Sequence, residues 1–301
     1  MTKRMRIGFD VGGTKIAAVA LGDGDEPLAS ERIATPRGDY AGTLAEIARL
    51  VDEIERQTGP SSTIGIGIPG LISPSTGKVQ NANSTWLNGR SLEADLHDTL
   101  KRPVRIANDA NCFALSEALD GSGNGAACVF GVILGTGCGG GLVVNRSLVN
   151  GPLGIGGEWG HNPLPWPEPE EMPGPQCWCG RAGCIETWVS GPGLSADHAR
   201  WGNEAADVET IAAKAAQGDG SARATLERHA DRLARALASI VNIIDPDIVV
   251  LGGGLSQLPH LYQDVPRLMA PFIFSQSPAI DIRPPRHGPE SGVRGAAALW
   301  D

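Results

Sequence analysis

Short apolar runs separated by polar turns dominate the first third of the chain. Residues 5–21 place a polar, glycine-rich centre between two apolar runs, which predicts a β-hairpin. In residues 39–58 the apolar positions recur at helical spacing, which predicts an amphipathic helix. Residues 62–70 predict a buried strand that ends in a Pro-Gly turn, and residues 104–119 predict a strand that changes into a helix at Asn108.

A second unit begins near residue 120 and repeats this pattern. Residues 127–145 again read apolar strand, glycine-rich turn with a threonine, apolar strand. Residues 205–244 predict two helices, residues 246–256 predict a buried strand that ends in three glycines, and residues 291–300 predict a closing helix. Strands, helices and glycine turns at strand ends indicate an α/β protein, and the repeated turn indicates two related halves.

Composition narrows the function classes. The 301 residues suffice for two domains, and the content of 41% hydrophobic and 20% charged residues is typical of a globular protein. The formal net charge of −9, with no block rich in Lys and Arg, argues against binding to nucleic acid or to an anionic membrane. The first residues lack the features of a signal peptide, and no apolar run is long enough for a membrane helix, so we expect a cytoplasmic protein.

Three glycine-rich turns are candidates for phosphate binding. Without Cβ atoms, successive backbone N–H groups can converge on an anion, whereas a single such turn is equally compatible with a plain hairpin. The pattern is neither a Walker A loop nor a convincing Rossmann fingerprint, because two of the turns join strand to strand. An acidic residue before the first turn can hold the Mg²⁺ that accompanies a nucleotide. The candidates are Asp10, Gly12, Gly13, Thr14, Lys15, Gly135, Thr136, Gly137, Gly139, Gly252, Gly253 and Gly254.

A cluster of cysteines suggests a metal site. Cys177, Cys179 and Cys184 follow His161, and one imidazole with three thiolates is the ligand set of a closed structural zinc site. A disulfide would leave one cysteine over, no C-x-x-C redox pair is present, and buried free thiols are unusual in a proline-rich polar stretch. The other cysteines lie in apolar or glycine-rich sequence and are predicted to be buried: Cys112, Cys128 and Cys138.

The order of motifs resembles the ROK family of sugar kinases. DxGGTK, PG, NDAN, GTGxGGG, ExGH, CxCGxxGCxE and LGGG follow one another from about residue 6 to residue 299. NANSTWLNG (81–89) and GEWGHNPLPW (157–166) most resemble bacterial fructokinases of the mannokinase/fructokinase type. The resemblance implies a two-domain, actin-like ATPase fold (ribonuclease H-like) with the active site in the interdomain cleft. The expected domains are 1–118 plus 288–301, and 119–287.

The resemblance also implies roles for individual residues. Asp109 at the start of a helix is by itself better explained as a first-turn or capping residue, but in this family it corresponds to the general base of phosphoryl transfer. Sugar hydroxyls need several polar partners, since an unpaired buried polar group costs about 1–3 kcal/mol. The candidates are Asn83, Asn108, Asp109, Glu158, His161 and Glu186. A zinc ion on one ring nitrogen of His161 leaves the other for the sugar, so the metal loop would brace the sugar pocket.

The function expected from the resemblance is an ATP-dependent fructokinase that forms fructose 6-phosphate with Mg²⁺, in a homodimer. Glucokinase, mannokinase and N-acetylhexosamine kinase are alternatives of the same family. A sugar-responsive transcriptional repressor is disfavoured, because the first strand begins at residue 5 and leaves no room for a helix-turn-helix before it. A catalytically inactive sugar-binding module is disfavoured because Asp10, Lys15 and Asp109 are all present.

Overall fold

Two stretches of the chain each build a five-stranded sheet. In the computed structural model, which describes residues 5–301, the first stretch contributes seven strands: β1 (Arg6–Val11), β2 (Lys15–Leu21), β3 (Pro27–Ala34), β4 (Thr63–Ile68), β5 (Leu71–Ile72), β6 (Val79–Gln80) and β7 (Arg105–Asn108). The second stretch contributes β8 (Cys128–Leu134), β9 (Cys138–Val144), β10 (Ser147–Leu148), β11 (Ile248–Gly252) and β12 (Ile282–Arg283). Strands β5 and β6 pair only with each other.

The two sheets have the same topology. The first has the strand order β3-β2-β1-β4-β7, in which β1, β2 and β3 are antiparallel and β4 and β7 run parallel to β1. The second has the order β10-β9-β8-β11-β12 with the same sequence of antiparallel and parallel pairs. Each glycine turn that suggested an internal repeat joins the corresponding hairpin, β1–β2 or β8–β9. The predicted duplication is therefore confirmed.

Nine α-helices accompany these sheets within the described residues: α1 (Tyr40–Thr58), α2 (Leu92–Leu100), α3 (Asp109–Leu119), α4 (Glu186–Val189), α5 (Gly191–Arg200), α6 (Val208–Ala216), α7 (Gly220–Ile244), α8 (His260–Met269) and α9 (Ser291–Ala297). Side-chain caps fix several helix starts, as at α1, where Asp39 accepts a hydrogen bond from the Gly42 N–H. The helix predicted over 291–300 is regular only to Ala297 and continues as a 3₁₀ turn to Trp300.

Helices α3 and α9 lie between the sheets. Helix α9 packs against β1 and β4, so the end of the chain returns to the first sheet, and α3 packs against α9 and also against β8 and β9. The expected division into 1–118 plus 288–301 and 119–287 stays a prediction, and its residues 1–4 lie outside the described residues. Each sheet has its own apolar core, one around Phe9, Ile47 and Ile64 and the other around Phe130 and Trp188.

Two further expectations concern burial. Cys112 and Cys138 are buried as predicted, but Cys128 is only half-buried because it is the first residue of β8, where its N–H donates to the exposed Asp247. Within residues 5–301 no helix has both the length and the apolar character of a membrane span.

Candidate active site

A cleft of about 1150 Å³ lies between the two halves. The carboxyl ends of parallel strands from both sheets lie at this cleft, which is where α/β proteins usually bind their ligands. All predicted sugar-binding residues line it: Asn83, Asn108, Asp109, Glu158, His161 and Glu186. The second glycine turn lines it as well, with Gly135, Thr136, Gly137 and Gly139. The other nucleotide candidates are not among its lining residues: Asp10, Gly12, Gly13, Thr14, Lys15, Gly252, Gly253 and Gly254.

Asn108 is the N-cap residue of helix α3. Its Oδ1 atom accepts hydrogen bonds from the N–H groups of Ala110 (2.9 Å) and Asn111 (3.3 Å). Its Nδ2 atom donates to the carbonyl oxygen of Gly70 at 3.0 Å, which ties the helix start to the Pro-Gly turn after β4. Because Asn108 supplies the cap, Asp109 is not needed for it. Asp109 is held in place by the Ala110 N–H, which donates to its Oδ1 at 2.8 Å, and it lines the cleft.

The surroundings of Asp109 favour its protonated form. Burial between the two halves and the negative charge of Asp10 raise the pKa of Asp109 to about 7, the charge of Glu158 adds to this, and the Ala110 N–H opposes it. Burial also raises the pKa of Asp10, against the positive charges of Lys15 and Arg32. Asp10 therefore lies close enough to influence Asp109. A carboxyl group with a pKa near 7 is suited to accept a proton at neutral pH.

The second glycine turn closely approaches Glu186. A Cβ atom at Gly137 would lie 2.7 Å from the Oε2 atom of Glu186, and the N–H of Cys138 donates to that same oxygen at 2.9 Å. Part of the glycine requirement of this turn thus comes from a carboxylate of the protein. The Cys138 N–H is engaged by Glu186, so any phosphate at this turn must be met by other amides.

The first and third turns are shaped mainly by contacts within the fold. In the first, the Gly12 N–H donates to the carbonyl oxygen of Lys15 at 3.0 Å, closing the β1–β2 hairpin, while Thr14 and Lys15 are exposed. In the third, Gly253 has a φ of +81°, and a Cβ atom there would lie 2.3 Å from the carbonyl oxygen of Leu134. Glycine is required at position 253 by the backbone itself.

Four side chains form a cluster suited to a metal ion. One ligand atom each from His161, Cys177, Cys179 and Cys184 lies within 4.8 Å of all the others. The Nδ1 atom of His161 is 3.5 Å from the Cys177 Sγ, and the Sγ atoms of Cys179 and Cys184 are 3.6 Å apart. Tetrahedral zinc with bonds of about 2.3 Å to sulfur separates its ligand atoms by about 3.8 Å, so the donor set and its spacing fit zinc.

The loop that carries the three cysteines, residues 177–184, is called the metal-site loop. It also contributes a residue that the sequence patterns did not single out. Trp178, between two of the cysteines, lines the cleft and is 68% exposed. Its indole N–H donates to the Oε1 atom of Glu186 at 2.8 Å, and its ring meets the His161 ring edge-on with centroids 4.9 Å apart. A large aromatic residue in an otherwise polar loop is the sequence feature that could have indicated Trp178. Across the cleft Lys78, from the hairpin of β5 and β6, was likewise missed.

The surroundings of Glu158 also raise the pKa of its carboxyl group. The cleft walls desolvate Glu158 and raise its pKa, the charge of Glu186 adds to the increase and His161 opposes it. Three carboxylates, those of Asp109, Glu158 and Glu186, thus face one cleft. Such an arrangement suits a ligand rich in hydroxyl groups, because ionised carboxylates accept hydrogen bonds from them.

Comparisons with known proteins agree with this geometry. The sequence model of the ROK family matches residues 6–301. An N-acetyl-D-glucosamine kinase of Escherichia coli O127:H6 is 42% identical over 303 residues, covering 98% of this chain and 99% of that protein. The crystal structure of a ROK hexokinase from Thermus thermophilus superimposes with a TM-score of 0.87 at 30% identity, covering 98% and 97% of the two chains.

A second solved structure adds the ligand context. A ROK family glucokinase from Streptomyces griseus, in complex with glucose and AMPPNP, has a TM-score of 0.79 at 26% identity and covers 98% of both chains. The two repeated sheets with a cleft between them are the architecture expected from the motifs. The three relatives described here are an N-acetyl-D-glucosamine kinase, a hexokinase and a glucokinase, so they support the expected sugar kinase but not fructokinase specifically. The chain belongs to the ROK family of sugar kinases and has its actin-like ATPase fold.

Proposed function

We propose that the protein is an ATP-dependent hexose kinase in which Asp109 is the general base. The observation that carries this proposal is the position of Asp109 in the cleft, with a pKa of about 7, beside the second glycine turn and two further carboxylates. The relatives named as kinases and the glucokinase bound to glucose and AMPPNP support it.

The proposed reaction uses Asp109 to orient and deprotonate one hydroxyl of the sugar. That oxygen forms a bond to the γ-phosphorus while the bond from the γ-phosphorus to the β–γ bridging oxygen breaks, so ADP leaves and Asp109 retains the proton. Asp10 would hold the Mg²⁺ of the nucleotide indirectly, and the ion would neutralise phosphate charge. The buried carboxylates of Asp10 and Asp109, which raise each other's energy when both are ionised, fit a nearby cation.

For the metal cluster we propose a structural zinc ion. Four protein ligands leave no open coordination position for water, so the ion would order the loop rather than take part in phosphoryl transfer. With the Nδ1 atom of His161 directed at the sulfurs, its Nε2 atom remains for a hydroxyl of the sugar.

For the acceptor sugar we propose N-acetylglucosamine first and fructose second. The relatives at 42% identity are named N-acetyl-D-glucosamine kinases, which supports the first. Two stretches that resemble fructokinases, 81–89 and 157–166, contribute Asn83, Glu158 and His161 to the cleft, which supports the second. A homodimer, expected from the resemblance, is a further proposal that light scattering of the purified protein will test.

The deciding experiment measures ADP production with N-acetylglucosamine, fructose, glucose and mannose. Asp109→Asn should lower kcat by about 10²–10⁴-fold, the contribution typical of a general base. Asp207→Asn is the control, because Asp207 is another aspartate at a helix start and is not among the residues that line the cleft. No turnover with any hexose contradicts the kinase, and wild-type kcat in Asp109→Asn contradicts the assigned base.

A further inference from the structure

Both carboxylate oxygens of Glu186 are held by protein donors. The Oε2 atom accepts from the Cys138 N–H at 2.9 Å, and the Oε1 atom accepts from the Trp178 indole N–H at 2.8 Å. Two donors on opposite oxygens fix the torsion of the carboxylate. Each oxygen keeps a second lone pair, so the group can still accept hydrogen bonds from a ligand in the cleft.

The two donors belong to different parts of the second half. Cys138 lies at the second glycine turn, between β8 and β9, and Trp178 lies in the metal-site loop. Glu186 therefore joins the turn proposed for the nucleotide to the loop proposed for the sugar. Gly137 permits the contact, because a side chain there would displace the Oε2 atom of Glu186.

Trp178 also contacts His161, a second sugar candidate. Its ring stands at 87° to the ring of His161 with centroids 4.9 Å apart, which restricts the rotation of the imidazole. A tryptophan that stays 68% exposed gains little hydrophobic stabilisation on folding. The hydrogen bond to one cleft residue and the ring contact to another account for its position.

We propose that Trp178 is a positioning residue for the acceptor sugar, which acts by holding Glu186 and His161 in the orientation that meets the sugar hydroxyls. The inference rests on the proposed function for the identity of the ligand. It assigns Trp178 an effect on sugar affinity and none on the affinity for ATP, because the indole N–H donates to Glu186 and not to the glycine turn, which keeps its own bond to Glu186 through the Cys138 N–H.

The test compares Trp178→Phe with Trp178→Ala. Phenylalanine keeps a ring against His161 but lacks the N–H, so its KM for the sugar should rise about tenfold, as expected for losing one hydrogen bond to a charged group, with the KM for ATP within about twofold. Trp178→Ala should be worse than Trp178→Phe. The control Trp201→Phe replaces another exposed tryptophan that lies outside the cleft and stacks on Arg228. An unchanged KM for the sugar in Trp178→Phe overturns the proposal.

Three measurements separate positioning from other causes. The zinc content of each variant shows whether the neighbouring cysteines still bind metal, and Glu186→Gln in the wild-type and Trp178→Phe backgrounds tests the coupling without changing the loop. The two losses should be non-additive, because both act through one carboxylate, and additive losses refute the mechanism. Calorimetry of sugar binding without ATP tests Trp178 separately from the kinase reaction. Tight sugar binding without turnover contradicts only the kinase, whereas a wild-type Kd in Trp178→Phe contradicts the positioning role.

Discussion

The Nδ1 atom of His161 lies 3.5 Å from the Sγ atom of Cys177, so a residue that lines the cleft is also a member of the metal cluster. The remaining cysteines of the cluster come from the same loop as Trp178. The order of this loop and the order of the proposed sugar pocket are therefore coupled through a single imidazole.

The first prediction follows from this coupling. Cys179→Ser replaces one thiolate of the cluster and should lower the zinc content from about one ion per chain, because a hydroxyl is a poor zinc ligand. The sugar Kd should rise by about tenfold or more, since groups that support a metal site typically contribute 10–100-fold. Elemental analysis and calorimetry measure the two effects. Cys128→Ser, a free cysteine outside the cluster, should change neither, and a zinc-free protein with wild-type sugar affinity would refute the coupling.

The second prediction concerns pH. Because Asp109 has a pKa of about 7 and, as the proposed base, must be ionised to accept a proton, log kcat/KM for the sugar should rise with pH below about 7 and level off above it. Asp10→Asn removes a negative charge that raises this pKa, so the midpoint should move to lower pH even if the activity also falls. Asp207→Asn should leave the midpoint in place. A midpoint that does not move in Asp10→Asn would show that another group controls the rise of log kcat/KM with pH.

The third prediction concerns a buried ionic network. Glu171 accepts hydrogen bonds from Arg232 (2.7 Å) and from both terminal nitrogens of Arg235 (2.8 Å each). Glu171→Gln removes the buried carboxylate that the two arginines share, although Asp197 still pairs with Arg232 and Asp231 with Arg235. It should cost about 3 kcal/mol in the free energy of unfolding, the lower end for a broken buried ion pair. Asp231→Asn is the matched control: it removes a 40% exposed partner of the same Arg235 and should cost about 0–1 kcal/mol. Urea denaturation measures both, and equal losses would contradict the assignment.

The same network makes the stability of the folded protein depend on pH in the acidic range. Burial opposes the ionisation of Glu171, but the hydrogen bonds from Arg235 and Arg232 outweigh it and lower its pKa to about 2. The folded protein thus holds this carboxylate ionised at a pH where the unfolded chain is protonated. Its contribution is complete above the ordinary pKa of 4.5 and is lost as the pH falls towards 2. Glu171→Gln should flatten this part of the stability profile.

Local patterns in the sequence predict the elements but not these long-range contacts. The hairpins and helices follow from apolar periodicity and glycine turns, and the start of α3 follows from Asn108, whose cap lies within three residues of it. Glu171 and Arg232 are 61 residues apart, so no local pattern pairs them. Their contact depends on how the loop before the cysteines packs on α7.

The cleft shows the same limit. The predicted sugar candidates lie together in it because their motifs are recognisable, yet the sequence pattern does not indicate that the Cys138 amide is already engaged by Glu186. The glycines of that turn suggested phosphate alone. Gly137 has a second cause, the approach of a carboxylate 49 residues later in the chain, which becomes visible only when β8, β9 and α4 are placed together.

The fourth prediction concerns the crossing of α3 and α9. A Cβ atom at Gly295 of α9 would lie 1.7 Å from the carbonyl oxygen of Cys112 in α3, so the helices must separate to accept alanine. Gly295→Ala should cost about 1–3 kcal/mol, as overpacking does, and should lower kcat because Asp109 begins α3. Gly220→Ala, the first residue of α7 with nothing within 4 Å of its added Cβ atom, should instead stabilise by about 0.4–1 kcal/mol.

Urea denaturation and steady-state kinetics on the two glycine variants test this crossing. A loss of stability in Gly295→Ala with unchanged kcat would mean that α3 keeps its place while α9 moves away. In that case the position of Asp109 is set by the cap at Asn108 and by the contact of α3 with β8 and β9, rather than by α9. Equal stability of both variants would mean that the crossing adjusts without cost, contrary to the close approach seen here.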